Sequence, residues 1–411
     1  MKVLTLNVWG LNKVSKFRNK RIKAIASKLI DINVDIICLQ ELWLNDDFEY
    51  MKNFLMSFYP FNKYFYSGVV GSGLAIFSKY PFLDSDFINY NMNGPPLEVI
   101  KGDWFAGKGV GWVTINHPSY GLIDVYTTHF HSAYSENDKY SRFAHRINQS
   151  WQLSTLVNRS HASNKSVIVT GDLNSEPFTL VFDLLKTHSQ LQDSWALTHP
   201  NHDKFGARGQ NDAVFRCGFT ADSALNSFHR HRYPIPPNIP LDIDRIEYAG
   251  GKRLDYILFR SSTLKIQECN IDFHEYCPPN FNFSYSDHFG IVATFKPNDE
   301  ATASPTKTNT SDNLTCYKES ITALEKLAKH SYHQSLKYLL FTFSLIFFAI
   351  ALIVGCTFTP TSRYSPIFTF FSFLAGAAGA TYLYVGFIFG RFEKHNIQNL
   401  IEQIDDFIKT K

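Results

Sequence analysis

A layered α/β domain followed by a hairpin of two membrane-spanning helices is the architecture this sequence predicts. Short apolar runs bounded by turn residues recur along residues 1–297, a helical repeat separates the first two of them, and two long charge-free segments follow. The length of 411 residues allows one large core plus an appendage. Charged residues make up only 19% against 45% hydrophobic ones, so apolar mass is expected outside a water-facing core.

Strands are predicted at 2–9, 34–39, 73–78, 110–115, 122–128, 166–170, 254–259 and 289–295. Between the first two, Ile22, Ile25, Ala26, Leu29 and Ile30 recur at helical spacing, and a second helix is expected over 145–157. The domain should end at residue 297. A stretch rich in Asn, Asp, Thr, Ser and Pro then reads as a linker to about residue 314, within a segment 298–336 that also holds a juxtamembrane helix.

Residues 338–358 and 366–390 carry no charge, and each run suffices to cross a bilayer core of about 30 Å, giving a hairpin over 337–390. Gly376 with Ala380, and Gly386 with Gly390, supply small residues four apart that let such helices approach closely. The competing explanation, two buried core helices, would not need so long a charge-free run. Amphipathic segments flank the hairpin, with Ile321, Leu324 and Leu327 before it and Ile397, Leu400, Ile401 and Ile404 in the final segment, 391–411. They should lie on the membrane or against each other.

Lys326, Lys329 and Lys337 precede the hairpin and Arg391 and Lys394 follow it, whereas its loop at 359–365 carries only Arg363, which points both ends to the cytosol. The apolar residues of MKVLTLNVWG run too briefly for a secretory leader, and six cysteines without regular spacing read as free thiols of a reducing compartment. The sequons at Asn148, Asn158, Asn164, Asn282, Asn309 and Asn313 should then stay unmodified. A net charge of +3 with no run of Lys and Arg gives no electrostatic footprint for nucleic acid.

Polar clusters fall at the ends of the predicted strands: Asn7 in TLNVWG, Glu41 in CLQELW, His129 in YTTHFHS, Asp172 and Asn174 in TGDLNSEP, Asp255 in RLDYIL, and Asp287 with His288 in YSDHFG. The set holds oxygen donors and histidines with no nucleophilic Ser or Cys beside a base, which suits water activation. Mg2+ favours oxygen ligands and keeps several waters, so Glu41 helped by the Asn7 amide oxygen would suffice to hold it. A neutral His288 is available as general base near pH 7, with Asp255 orienting it. Asn174 and His129 can donate to phosphoryl oxygens as charge builds.

Taken together, the order Asn, Glu, His, Asp-x-Asn, Asp, Asp-His over residues 7–288 resembles the endonuclease/exonuclease/phosphatase superfamily. The resemblance implies a DNase-I-like four-layered α/β sandwich with the site at one rim. It also adds Asp172 to the catalytic set and Asp287 to the Mg2+ ligands. Finer motifs (SGLAIFSKYP, THFHSAY, GDLNSEP with a following DSW) and the paired C-terminal spans look like the neutral sphingomyelinases, most closely the fungal inositol phosphosphingolipid phospholipases C. That likeness implies a phosphosphingolipid substrate cleaved to ceramide and a phosphorylated head group, with membrane lipids, anionic phospholipids among them, as partners. It implies residence in the endoplasmic reticulum or another endomembrane, with mitochondria as the alternative.

GDWFAGKG at 102–109 resembles a loop of these membrane enzymes in which an Asp and a Lys gate the site, matched by Asp103 and Lys108. As a nucleotide-binding loop it fails, because Gly109 stands where a hydroxyl should hold Mg2+. His131 is open between a phosphate contact and packing beside His129. Trp9, Trp43 and Trp104 either line lipid access or belong to the core. A cysteine-bearing motif of the family falls at TADSALNSF, where Ala221 replaces the thiol.

Competing functions are a nucleic-acid phosphodiesterase, a phosphoinositide phosphatase on the same fold, and a non-enzymatic membrane adaptor. The weak net charge and the hairpin oppose the first, the GDLNSEP sequence opposes the second, and the complete acid, amide and histidine set opposes the third. Choline and inositol head groups remain equally open, since the phosphorus chemistry is shared.

Overall fold

The computed structural model describes residues 1–98, 102–133, 141–200, 209–232, 251–278, 281–298, 310–358 and 362–410. Most of the expected linker and the first part of the inter-span loop, 359–361, lie outside the described residues.

Two six-stranded sheets form the middle of the domain. The first runs β11 (Leu264–Asp272), β12 (Gly290–Pro297), β1 (Lys2–Asn7), β2 (Ile36–Gln40), β4 (Leu74–Ser78), β3 (Phe61–Phe65). The second runs β5 (Phe82–Asn89), β6 (Gly109–His117), β7 (Gly121–His129), β8 (Ser166–Asp172), β10 (Asp255–Arg260), β9 (Gln192–Asp193). Helices α1 (Arg18–Ile32) and α2 (Asn45–Leu55) cover the first sheet. Helices α4 (Ser141–Ala162) and α5 (Leu180–Ser189) cover the second, and the short α3 (Asp103–Ala106), α6 (Ser194–Thr198), α7 (Gln210–Phe215) and α8 (Ser227–Arg232) lie in connections.

Alternation along each strand divides the core into layers. Val3, Ile36 and Cys38 meet Val113, Val125, Ile168 and Ile257 between the sheets, while Leu4, Leu6, Ile37 and Leu39 turn outward onto Ile22, Ile25, Leu29, Phe48 and Met51. Val167, Val169 and Leu258 meet Ile147, Trp151, Leu184 and Leu185 on the far side. Helix, sheet, sheet and helix thus stack in four layers, the sandwich expected from the motif order.

Every strand anticipated from the sequence is present, whereas β3, β5, β9 and β11 were not anticipated. Those four are the edges of the two sheets. An edge strand keeps a wet face and breaks the apolar run, as in FLDSDFIN of β5, whose residues are half-buried or exposed. The second expected helix is longer than 145–157, spanning all of α4.

Beyond the sandwich, α9 (Thr310–Thr357) is one unbroken helix, so the tail of the expected linker is already helical from Thr310. Helix α10 (Ser365–Leu383) continues through a π-helical stretch, Tyr384–Phe389, into α11 (Gly390–Lys409) without a break. The flanking amphipathic segments pack on each other and on the domain, since Cys316, Tyr317, Leu324, Leu327, Ile397, Leu400 and Ile404 join the core cluster of Trp151 and Leu184. Gln403 Oε1 accepts from Trp151 Nε1 at 3.0 Å.

The apolar parts of α9 and α10 behave otherwise. Only 6% of the most apolar stretch of α9 is buried, and Phe343, Phe347 and Ile353 there, with Phe373 on α10, face outward. A core helix would hide these side chains, so the hairpin's surface suits lipid and the buried-helix explanation fails. Gly386 and Gly390 do sit in close contact with α9: a Cβ on Gly386 would stand 2.9 Å from Tyr338 Cβ. Gly376 does not, as nothing lies within 4 Å of its Cβ position. The buried face carries Ala375 and Gly379 instead, one position earlier than the expected Gly376 and Ala380.

Candidate active site

Strand directions bring the polar clusters to one edge. β1 and β2 are parallel, as are β7 and β8, while β10 runs against β8 and β12 against β1, so strand ends of the former meet strand starts of the latter. His129, Asp172 and Asp255 stand in one row across β7, β8 and β10. Gly171 makes that row possible. Its φ is +136° and a Cβ there would lie 1.9 Å from Thr128 O, a conformation and approach open only to glycine.

From the other sheet, Asn7 Nδ2 donates to Glu41 Oε1 and to Asp172 Oδ2, both at 3.1 Å, joining the two rims. Glu41 adopts φ +58°, a left-handed conformation uncommon for a glutamate, so the chain turns sharply after β2 to present its carboxylate. Ser286 Oγ donates to Asn7 O at 2.6 Å, which fixes the loop carrying Asp287 and His288. Asn174 N donates to Asp172 Oδ1 at 2.8 Å.

His288 Nδ1 lies 2.8 Å from Asp255 Oδ2, and its Nε2 lies 3.9 Å from Asp172 Oδ2. Burial pulls the His288 pKa down, but the Asp255, Asp172 and Asp287 carboxylates outweigh it and hold the imidazolium well above its usual range. Burial and the Asp255 charge push the Asp172 carboxyl up to about 7. His129 is shifted well below its usual value by burial, Lys108 and the neighbouring histidines, so its ring is neutral.

These groups face a cavity of about 1300 Å³ lined by Trp9, Glu41, His129, Asp172, Asn174, Asp287 and His288, together with Arg142 and Arg146 of α4 and Glu319, Thr322, Ala323 and Lys326 of α9. A cation fits this donor set. Carboxylates crowd against one another, Asp172, Asp255 and His288 offer ligand atoms within 4.8 Å of one another, and Asp255 Oδ1 is buried without a hydrogen-bond partner. Asn7, Glu41 and Asp287 line or adjoin the same space, so both groupings are available to an ion.

Asp103 and Lys108 sit behind this cavity. Lys108 Nζ is 2.7 Å from Asp103 Oδ1 and donates to Phe130 O at 2.8 Å, the carbonyl that also accepts from Asn174 Nδ2 at 3.0 Å. His131 is only 1% exposed, lies 3.7 Å from Asp103 Oδ2, and its ring tilts against that of His145 with centroids 5.4 Å apart. Trp43 is buried beside His129, Trp9 is half-buried in the cavity lining, and Trp104 is half-buried on α3.

Sequence reasoning missed Arg21, which is fully buried on α1 and donates to the carbonyls of Lys16, Val8, Trp9 and Tyr285, thereby tying the Asn7 loop to the Asp287 loop. A signal was present, since Arg21 occupies the apolar face set by Ile25 and Leu29. It also missed Arg253, which forms a paired contact with Asp193 Oδ1 and Oδ2 at 3.0 and 2.8 Å beneath the Asp255 strand.

The profile of the endonuclease/exonuclease/phosphatase family matches residues 4–288, from β1 to the histidine of the Asp255 pair. The chain belongs to that family. Within the family it groups with inositol phosphosphingolipid phospholipases C and neutral sphingomyelinases. The inositol phosphosphingolipids phospholipase C of Saccharomyces cerevisiae is 30% identical over 98% of this chain and 88% of its own length. The enzyme of the same name from Schizosaccharomyces pombe is 32% identical over 71% and 67%. Human sphingomyelin phosphodiesterase 2 is 30% identical over 72% of this chain and 64% of its own length. Among solved structures, a beta toxin from Staphylococcus aureus superposes with TM-score 0.52 at 19% identity, covering 71% of this chain and 99% of that one, which shows the shared fold. The family match ends at His288, two residues before β12, so the apolar hairpin is an addition to the family domain.

Proposed function

We propose that this phosphodiesterase is a Mg2+-dependent phospholipase C acting on phosphosphingolipids, anchored by its hairpin in the membrane that holds its substrate. One observation carries the reading. The cavity at the catalytic edge is walled by the helix that continues into the first apolar span, so the site and the anchor share one element. The substrates named for its relatives support the lipid class.

His288 is the base. With Nδ1 donating to Asp255, Nε2 is left to take a proton from water, which attacks phosphorus in line as the bond to the ceramide oxygen breaks. The ceramide oxygen takes a proton from solvent as it leaves, His288 returns the proton it took to solvent, and the phosphorylated head group follows. Glu41, Asn7 and Asp287 would hold Mg2+, with Asp172 at hand. Bound there, the ion would neutralise charge at the phosphate and offset the Asp287 carboxylate that helps hold His288 protonated. His129, neutral and buried, and Asn174 orient the phosphoryl oxygens.

EDTA should abolish hydrolysis of both sphingomyelin and inositol phosphoceramide in mixed micelles, and Mg2+ should restore it. Glu41→Ala should remain inactive at Mg2+ concentrations that saturate the unmodified protein. Full activity of that variant in chelator would remove the metal from the mechanism.

Asp103 and Lys108 act as positioning residues through the shared Phe130 carbonyl. Asp103→Asn and Lys108→Met should each lower kcat with little change in KM, and the double variant should be no worse than either single one. Additive losses in the double variant would show that the two work separately.

A further inference from the structure

Two loops outside the cavity form one apolar surface. The loop after β3 exposes Tyr66, Val69 and Val70 by 69%, 81% and 50%, and beside it α3 carries Trp104 and Phe105, partly buried and edge to face at 5.0 Å. The loops are stapled together. Val69 N and Val70 N donate to Phe105 O at 2.8 and 3.1 Å, and Ser67 Oγ donates to Gly107 O at 2.7 Å. Gly68, at φ +52°, lies so close that a Cβ would stand 2.4 Å from Phe105 O. The apolar side chains are therefore held as a preformed patch, with little ordering cost left for a contact.

The patch adjoins the base of the hairpin. Ser67 Oγ also lies 2.7 Å from the Asn89 side-chain amide at the end of β5, and two residues on, Asn91 O accepts from Asn396 Nδ2 of α11 at 3.1 Å. A second connection runs from Asp103, next to Trp104, through His131 and His145 to Glu393, whose Oε1 lies 3.5 Å from His145 Nε2. Glu393 and Asn396 stand in the first two turns after Gly390, where the second apolar helix ends.

We propose that loops 66–71 and 103–107 dip into the interfacial layer of the bilayer crossed by the hairpin, a second membrane contact made by the catalytic domain itself. The inference rests on the reading that the hairpin crosses a bilayer. Lipid is the occupant that the chemistry fits: Tyr66 and Trp104 pair an apolar body with a polar tip, Val69 and Val70 add aliphatic surface, and such mixtures concentrate at membrane interfaces. The hairpin also holds the patch beside the bilayer, so docking is intramolecular and a small apolar area suffices.

The full chain, reconstituted in phosphatidylcholine nanodiscs with and without doxyl-labelled lipid, tests this with an environment-sensitive fluorophore at Val69→Cys, Leu83→Cys and Phe371→Cys. Unmodified protein supplies the labelling baseline. Leu83, exposed at the opposite end of β5, reports water, and Phe371, exposed on α10, reports the hairpin. Blue-shifted, quenched emission is expected at positions 69 and 371 and not at 83. Quenching at 371 with position 69 behaving like 83 overturns the inference and leaves the hairpin reading intact, while no quenching at 371 sinks both. In addition, Val69→Asp with Val70→Asp should lower kcat/KM on bilayer substrate about tenfold and leave turnover of a water-soluble phosphodiester unchanged. Equal rates on bilayers, or equal losses on both substrates, would count against the contact.

Discussion

His288→Ala is expected to lose roughly 10²- to 10⁴-fold in turnover, the range for removing a positioned general base. The ring is fixed at one nitrogen by Asp255 and presents the other to the cavity, 3.9 Å from Asp172 Oδ2. Asp255→Asn should lose less than His288→Ala, because the imidazole stays in place and only its tautomer and orientation are released. Initial rates on micellar substrate, with thermal unfolding of the same samples, make the comparison. The variant should melt with the unmodified protein and retain its KM. A folded His288→Ala enzyme within tenfold of normal turnover would take His288 out of the mechanism.

Arg253→Met should cost the fold about 3 to 5 kcal/mol, or roughly 10 °C in melting temperature. Burial works against both members of the Arg253–Asp193 pair, yet each holds the other ionised: the Asp193 pKa is lowered and that of Arg253 raised. Asp193 also caps α6 by accepting from Trp195 N at 3.0 Å, so its carboxylate cannot swing to water when the guanidinium goes. An uncompensated buried anion then remains on β9, paired with Leu258 of the strand that begins at Asp255. Arg253→Met combined with Asp193→Leu should recover much of the loss, since the unpaired charge is the source of the damage. A single variant that melts with the unmodified protein would show that the pair carries no stability.

Central strands such as VLTLN and DIICLQ were legible because both faces are covered, so their apolar runs are continuous. The edge strands were not, because water on one side mixes Lys, Asp and Asn into them. The site residues were legible by order, as each stands where a strand ends. What the sequence hid was reach across distance: Arg21 serves carbonyls up to Tyr285, and Arg253 meets Asp193 from the connection that leads into β10. Gly376 was misplaced for a local reason, because a spacing of four is satisfied equally by Ala375 with Gly379, and only the partner helix selects the phase.

The uninterrupted course of α9 sets the site's altitude. Lys326 lines the cavity, and the charge-free span begins at Tyr338, which at 1.5 Å per residue lies about 18 Å further along the same rod. The head-group layer is only about 5 to 8 Å deep. A strut standing upright would thus keep His288 out of reach of a phosphate at its resting depth, so the lipid must be lifted partly clear of its neighbours or the strut must lean. Leu11, Val14, Phe143, Leu180 and Val181, which give the cavity an oily flank, offer shelter to the hydrocarbon that such lifting uncovers.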